Sequence, residues 1–263
     1  MKKLVSVIIP AYNEEKLIRK TLISVKRQTY KPIEIIVVNN NSTDKTAKIA
    51  QEYTDKVLFL KRKGAATAMN FGARKAKGQY FLFLDADSRI SKNTVYNSIK
   101  FLRRGFSGGR IKAEYEKKDN KIKLFEVIQN SVLVKVGFYT GPFLYTKREL
   151  FQKIGGLNEK IQFGYDIDLM KRLSRFGRIK NDLYSIAKTS SRRHGQNGHF
   201  LYVMSAGILV LLGIKNLPYP TINKNKRVKN NRKFLSLQEF YNLINVNNLK
   251  DFLRNFLKNN LRD

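Results

Sequence analysis

The sequence predicts an α/β protein. Its expected form is a mostly parallel, doubly wound sheet with helices on both faces, followed by a helical, basic C-terminal extension. Three observations carry this. Short apolar runs alternate with helix-period segments through the first hundred residues, the spacing of β-α units. The run Tyr80-Phe81-Leu82-Phe83-Leu84 is apolar throughout, as suits a strand buried on both faces of a parallel sheet. It ends in Asp85-Ala86-Asp87-Ser88, at the carboxyl end of the strand, where open α/β sheets bind ligands.

The elements follow in order. Residues 4–10 read as a buried strand, and Ala11-Tyr12-Asn13 as its turn. Leu17, Ile18, Leu22 and Val25 recur at helical spacing over 14–28, with Glu14 and Glu15 in the first turn, where the helix dipole favours acids. Ile33–Val38 is a second strand, and Asn39 to Asp44 caps a helix over about 43–53. A short strand at 57–60, an Ala-rich helix at 64–76, the strand 80–84 and a helix at about 92–103 complete four units. Regularity then breaks. Gly108-Gly109-Arg110 leads into a strand ending near Glu116, a helix is favoured over 121–136, and a strand over 137–146. A short helix at 147–153, an amphipathic helix at 165–176 and two short strands near 178–180 and 183–189 follow. Residues 192–199 read as a loop.

The tail has another character. Residues 200–214 are apolar and uncharged, yet shorter than the roughly 20 residues a spanning helix needs. Residues 215–233 read as a linker, and 236–260 carry apolar residues at helical spacing beside Lys and Arg. The expected division is a domain over 1–198 and an extension over 199–263. An amphipathic helix in a membrane interface, drawn to anionic lipid, fits this composition; a packed core helix plus a disordered basic tail is the alternative.

Composition bounds the function. The formal net charge is +32, from 52 Lys and Arg against 20 Asp and Glu, which implies an anionic partner: nucleic acid, a phospholipid surface or a phosphorylated substrate. A basic proteome or a salty cytosol would give the same charge. Absence of cysteine excludes disulfides and thiolate metal sites and fits a reducing compartment. The basic N-terminus runs into Pro10 and Glu14-Glu15, so it reads as a first strand and not a signal peptide. There is no P-loop, no Gly-x-Gly-x-x-Gly after the first strand, and no nucleophile elbow.

Carboxylate chemistry remains. Asp85 and Asp87 can reach one divalent cation, since Mg2+ and Mn2+ are often held by one or two carboxylates plus substrate phosphates. A solvated turn is the alternative for that stretch alone. Asp166 and Asp168 form a second pair at a helix start, a position the dipole favours for acids with no chemistry at all. One site for a metal-bound phosphate and one for a base would suit group transfer from a phosphorylated donor to a hydroxyl.

Four stretches in order resemble family 2 glycosyltransferases of the GT-A fold. They are Val5 to Glu15; Ile36 to Thr46; Gly64 to Gly72 with Gly78 to Ser88; and Gly155 to Glu159 with Gly164 to Arg172. The likeness covers roughly residues 4–195. It implies a metal-dependent, inverting transfer of a sugar from a nucleotide-diphosphate sugar to an acceptor hydroxyl on a glycan or lipid-linked molecule. Pro10, Ala11, Tyr12 and Glu14 would line the nucleotide pocket. Asn40 stands where the family usually has an Asp that accepts from the base. Lys63, Gly64 and Asn70 would lie on the donor side, with Met69 where an Arg is frequent; Lys61, Arg62 and Lys63 either replace that cation or form a solvated run. Asp85 and Ala86 would lie near the ribose, and Asp87, with Asp85, would bind Mg2+ or Mn2+. Asp166 would be the base, with Tyr165 where an acid is common. Arg192 and Arg193 suit a diphosphate. His194, or His199, would complete the metal shell or simply be exposed.

The charge alone motivates a basic nucleic-acid-binding protein, but no specific nucleic-acid signature accompanies it. A nucleotidylyltransferase would need a Gly-rich, Arg-containing loop after the first strand, and none is there. The departures at Asn40 and Tyr165 leave a catalytically degenerate relative as a further reading. The expected location is cytoplasmic, and peripheral on the inner face of the cell membrane if the apolar run and basic tail contact lipid.

Overall fold

The computed structural model describes residues 2–116, 120–132, 134 and 139–192. Arg193, His194, His199, the boundary at 198/199, the apolar run 200–214, the linker 215–233 and the tail 236–260 lie outside the described residues.

The four expected units are present: β1 (Val5–Ala11), α1 (Ile18–Lys26), β2 (Ile33–Asn39), α2 (Thr46–Gln51), β3 (Val57–Phe59), α3 (Ala65–Lys75), β4 (Tyr80–Leu84) and, after β5 (Ser88–Ile90), α4 (Thr94–Arg103). The next elements are β6 (Gly108–Tyr115) and α5 (Asn120–Val127), continued by a π-helical turn (Ile128–Val132). The last are β7 (Phe143–Lys147), α6 (Arg148–Lys153), α7 (Tyr165–Leu173), a 3-10 turn (Ser174–Phe176) and β8 (Ile179–Thr189). The strands form one sheet in the order β3-β2-β1-β4-β7-β6-β8-β5. The β1–β2, β1–β4, β2–β3 and β6–β8 pairs are parallel; β4–β7, β6–β7 and β5–β8 are antiparallel.

Period-two alternation divides the core between the two faces of the sheet. Val5, Val7 and Ile9 of β1, with Leu82 and Leu84 of β4, pack with Leu22 and Val25 of α1 and with Val95 and Ile99 of α4. Ile8, Phe81 and Phe83 face the other way, toward Ala68 and Met69 of α3, Phe151 of α6 and Leu169 and Met170 of α7. A glycine inside a helix costs about 1 kcal/mol relative to alanine. Gly72 stands inside α3 because a Cβ there would lie 2.6 Å from Ile8 Cγ2, so it lets the helix sit directly on β1.

Several elements differ from expectation. The helix expected from residue 14 begins at Ile18, because the carbonyl of Glu14 accepts from both Leu17 and Ile18 N–H in a turn. The helix expected over 121–136 is α-helical over Asn120–Val127 and passes into a π-helical turn over Ile128–Val132. The strand expected from 137 begins at Phe143. The two short strands near 178–189 are one strand, β8, interrupted where its register with β6 jumps from Asp182 to Ile186. Asp182 Oδ1 accepts from the N–H groups of Tyr184 and Ser185 there, and Tyr184 is 87% exposed.

Candidate functional site

The carboxyl ends of β1, β2 and β4 open onto three loops that are tied together. Asn13 N–H donates to Ser42 Oγ, Glu14 N–H to Thr46 Oγ1 and Glu15 N–H to Asp44 Oδ2. These bonds join the β1–α1 loop to the β2–α2 loop and fix Pro10, Ala11, Tyr12 and Glu14 beside Asn40. The Asn40 N–H donates to the carbonyl of Ala11, at 2.8 Å. Its Nδ2 donates to the carbonyl of Gly64, at 3.1 Å, which holds the start of α3 against β2. Its Oδ1 is buried and accepts no hydrogen bond from the described residues. Such an atom costs about 1–3 kcal/mol if nothing pairs with it. Lys63 stands over the Tyr12 ring, 5.3 Å from its centroid, and the ring is half exposed.

Asp85-Ala86-Asp87 forms the turn between β4 and β5. The Ala86 carbonyl accepts from Thr21 Oγ1 of α1, at 2.7 Å, so the turn is pinned from below. Asp87 Oδ1 accepts from Ser88 Oγ and from Thr189 Oγ1 at the end of β8. Arg192 ion-pairs with Glu14, and its Nη2 lies 3.6 Å from Asp87 Oδ2. Arg192, Glu14 and Asp87 therefore meet, although residues 14 and 192 lie at opposite ends of the described chain. Among the described residues no group of three or more His, Cys, Asp or Glu side chains is poised to hold a metal ion.

The strap before β7 connects this turn to the second pair of acids. Because β7 runs antiparallel to β4, with Leu84 opposite Phe143, the residues before Phe143 cross the carboxyl end of β4. Asp85 N–H donates to the Pro142 carbonyl, at 2.9 Å, and the neighbouring Gly141 N–H donates to Asp166 Oδ2, at 3.3 Å. Asp166 is buried in the first turn of α7, and its Oδ1 accepts from Ile167 N–H. Burial pushes its carboxyl above the usual range; the hydrogen bonds from the Thr140 side chain and from Ile167 and Gly141 N–H pull it back without cancelling that. Asp168 points elsewhere and pairs with Arg172 at 2.8 Å.

Asn70, expected on the donor side, is committed to another contact. Its Nδ2 donates to the Leu157 carbonyl and Glu159 Oε1, and its Oδ1 accepts from Leu157 N–H. Gly156, at φ +73°, passes so close that a Cβ would lie 2.7 Å from Asn70 Oδ1. Asn70 therefore clamps α3 to the 155–159 turn. A cavity of about 830 Å³ opens beside this turn, and Asn70 and Asp168 are among the residues that line it.

Sequence reasoning missed Thr21, Thr140, Gly141 and Thr189, which are ordinary residues placed by topology alone. It also gave Arg110 no role. A cation inside the strand Gly108–Tyr115 was a visible signal, since Arg110 is fully buried.

The chain matches the model of glycosyl transferase family 2 over residues 6–155. An uncharacterized glycosyltransferase of Rickettsia typhi is 31% identical over 201 residues, covering 68% of this chain and 61% of its own length. One of Rickettsia prowazekii is 32% identical with the same coverage. The chain thus spans about three fifths of these relatives. Among solved structures, Staphylococcus aureus TarS 1–349 superposes with a TM-score of 0.61 at 23% identity, covering 82% of this chain and 67% of that one. The mannosyltransferase PcManGT of Pyrobaculum calidifontis, solved with GDP-Man and Mn2+, superposes with a TM-score of 0.66 at 19% identity, covering 83% and 66%.

Proposed function

The chain belongs to glycosyl transferase family 2 and has the GT-A fold, and we propose that it moves a sugar from a nucleotide-diphosphate sugar to an acceptor hydroxyl with inversion. The observation that carries this is the Pro142–Gly141 strap, which hydrogen-bonds Asp85 on one side and Asp166 on the other. A donor-side acid and a buried acid thereby flank one position. TarS has been solved with UDP-GlcNAc and PcManGT with GDP-Man, which supports a nucleotide sugar as donor.

In this reading Pro10, Ala11, Tyr12 and Glu14 line the nucleotide pocket, and the orphan Asn40 Oδ1 accepts the hydrogen bond from the base. Lys63 and Gly64 border the pocket, with Asn70 behind them holding the 155–159 turn. Arg192 faces the diphosphate, and Arg193 would add a second cation there. Asp87 and Asp85, with His194, would hold a divalent cation, Mg2+ or Mn2+. Two carboxylates are few for an all-protein cage, but they fit a hard cation that takes its remaining oxygens from the diphosphate and water. Bound there, the cation would neutralise charge on the leaving diphosphate.

Asp166 removes the proton from the acceptor hydroxyl. Its raised proton affinity makes it a better base than an exposed carboxylate. The hydroxyl oxygen bonds to the anomeric carbon from the face opposite the diphosphate. The bond to the diphosphate oxygen breaks, that oxygen keeps the electron pair, and the configuration inverts.

The acceptor is a glycan or a lipid-linked molecule. The protein would be cytoplasmic and peripheral on an anionic membrane face, a placement supported by the net charge of +32. No helix among the described residues is long and apolar enough to cross a membrane. The test is titration calorimetry with UDP, GDP and their sugars, with and without Mn2+. Metal-dependent binding of one nucleotide diphosphate is expected, and no binding under any condition would end the catalytic reading.

A further inference from the structure

Arg110 is the largest of the fully buried side chains. Its Nε donates to the carbonyl of Ile111, Nη1 to the carbonyl of Gln129 and Nη2 to Asn130 Oδ1, at 3.2, 3.1 and 2.7 Å. All three acceptors are neutral. Among the described residues no carboxylate lies within ion-pair distance of it. A buried cation held only by neutral acceptors is costly, and proteins rarely keep one without a use for the charge.

The use is visible one residue away. Gly141 lies against the guanidinium: a Cβ built on it would sit 3.5 Å from Arg110 Nε and 3.6 Å from Nη2. The same Gly141 donates its N–H to Asp166 Oδ2. Cation and carboxylate thus flank a single glycine that leaves room for both. On its other side Arg110 fixes the π-helical turn Ile128–Val132, where Asn130 pairs with both backbone groups of Ala113 in β6. We infer that Arg110 is a positioning residue for Asp166: it holds the Thr140–Gly141 strap against the carboxylate, and its charge keeps that carboxylate ionised in a dry site. The catalytic meaning of this rests on the proposed role of Asp166 as base.

The surrounding charges leave Arg110 as the cation that acts. Burial pulls its guanidinium down to about 10, so it remains cationic at neutral pH, and the charge of Asp166 acts on it in the opposite sense. Tyr115, also on β6, is pushed well above the usual tyrosine range by burial and stays neutral; Glu126 of α5 and Asp85 at the end of β4 reinforce that shift. Asp168, on the helix of Asp166, is occupied by Arg172.

The measurement is a carboxyl titration. Protein with 13C-labelled aspartate is followed by NMR against pH, and the spectrum of Asp166→Asn assigns the Asp166 resonance. In Arg110→Met the Asp166 midpoint should rise by about one to three pH units, the size of an opposite charge removed from close range. Arg110→Lys, which keeps the charge, should stay closer to wild type. A folded Arg110→Met with an unmoved or lowered midpoint overturns the inference, since a purely structural arginine would lower the melting temperature alone. Where Arg110→Met does not fold, Asn130→Asp decides. It gives the guanidinium a carboxylate partner, and an unmoved Asp166 midpoint there overturns the inference equally. The titration needs no substrate. A moved midpoint with undiminished transfer by Asp166→Asn would spare this inference and end the base reading; the converse pair would do the reverse.

Discussion

Glu34 and Asp166 are two sequestered carboxylates associated with opposite ends of one sheet, and their surroundings treat them in opposite ways. Glu34 lies at the amino end of β2, where Lys56, Ser6 Oγ and the N–H groups of Lys77 and Gly78 all converge on it. Burial pushes its carboxyl up, but these donors outweigh burial and hold it below the usual range. Asp166 meets the carboxyl end of β4 through Gly141, has only neutral donors where Glu34 has Lys56, and is left above the usual range, burial being the largest cause. One end of the sheet is saturated and contributes stability. The other is undersupplied, as a site that must still bind something tends to be. The orphan oxygen of Asn40 belongs to that same end.

The largest effect expected on this contrast is catalytic. Asp166→Asn should lower transfer by about 10²- to 10⁴-fold, the usual worth of a positioned base, while donor binding by calorimetry is kept. Transfer at the wild-type rate would remove Asp166 as base. At the other end, Glu34→Ala should leave donor binding alone and cost about 1 kcal/mol of stability in urea unfolding, because the Lys77 and Gly78 N–H groups lose a shared acceptor, although water can reach the first and Ser6 Oγ still serves the second. Lys56 adds little to that figure, since its side chain is 39% exposed and screened. Unchanged stability would mean that water replaces Glu34 at no cost.

The pH dependence sharpens the contrast, because the two acids have opposite signs. Glu34 has a depressed folded value. Its contribution is therefore present above its ordinary 4.5 and is lost as pH falls through the lower folded value. Asp166 has a raised folded value, so it costs stability once pH rises above its ordinary 3.8 and through the folded value. Asp166→Asn should accordingly melt higher than wild type at neutral pH, with the gap closing as pH approaches 3.8. Glu34→Gln should melt lower at neutral pH, with its gap closing in acid. Two gaps of the same sign in thermal scans would contradict the opposed roles.

The two ends were also unequally legible in the sequence. Apolar runs marked β1, β2 and β4 because each is buried on both faces, and four ordered motifs marked Asp85, Asp87 and Asp166. β5 escaped notice because it has three residues with Arg89 at its centre. β8 read as two strands because residues 183–185 bulge out of register with β6. Thr140 and Gly141 were not legible as site residues, and Arg110 showed only as a cation within a strand, with nothing to say what it faces. Their roles arise from an antiparallel strand inserted beside β4, and strand order is a non-local property that periodicity does not carry. Asn70 was read as a donor contact from its motif, whereas its amide is spent on Leu157 and Glu159.

The smallest expected effect concerns Asn40, which belongs to both the fold and the site. Its Nδ2 ties β2 to Gly64, and its Oδ1 is left for a ligand. Asn40→Ala removes both, so it should weaken nucleotide-diphosphate binding by about fivefold, one ordinary hydrogen bond, and also lower the melting temperature. Asn40→Asp separates the two roles. A carboxylate keeps the acceptor toward the base but cannot donate to the Gly64 carbonyl, and the two oxygens would repel. Binding should then stay within about twofold of wild type, less than a hydrogen bond's worth, while the melting temperature falls as in Asn40→Ala. If Asn40→Asp instead binds as weakly as Asn40→Ala, the Gly64 tether and not the free oxygen is what the nucleotide pocket needs from residue 40.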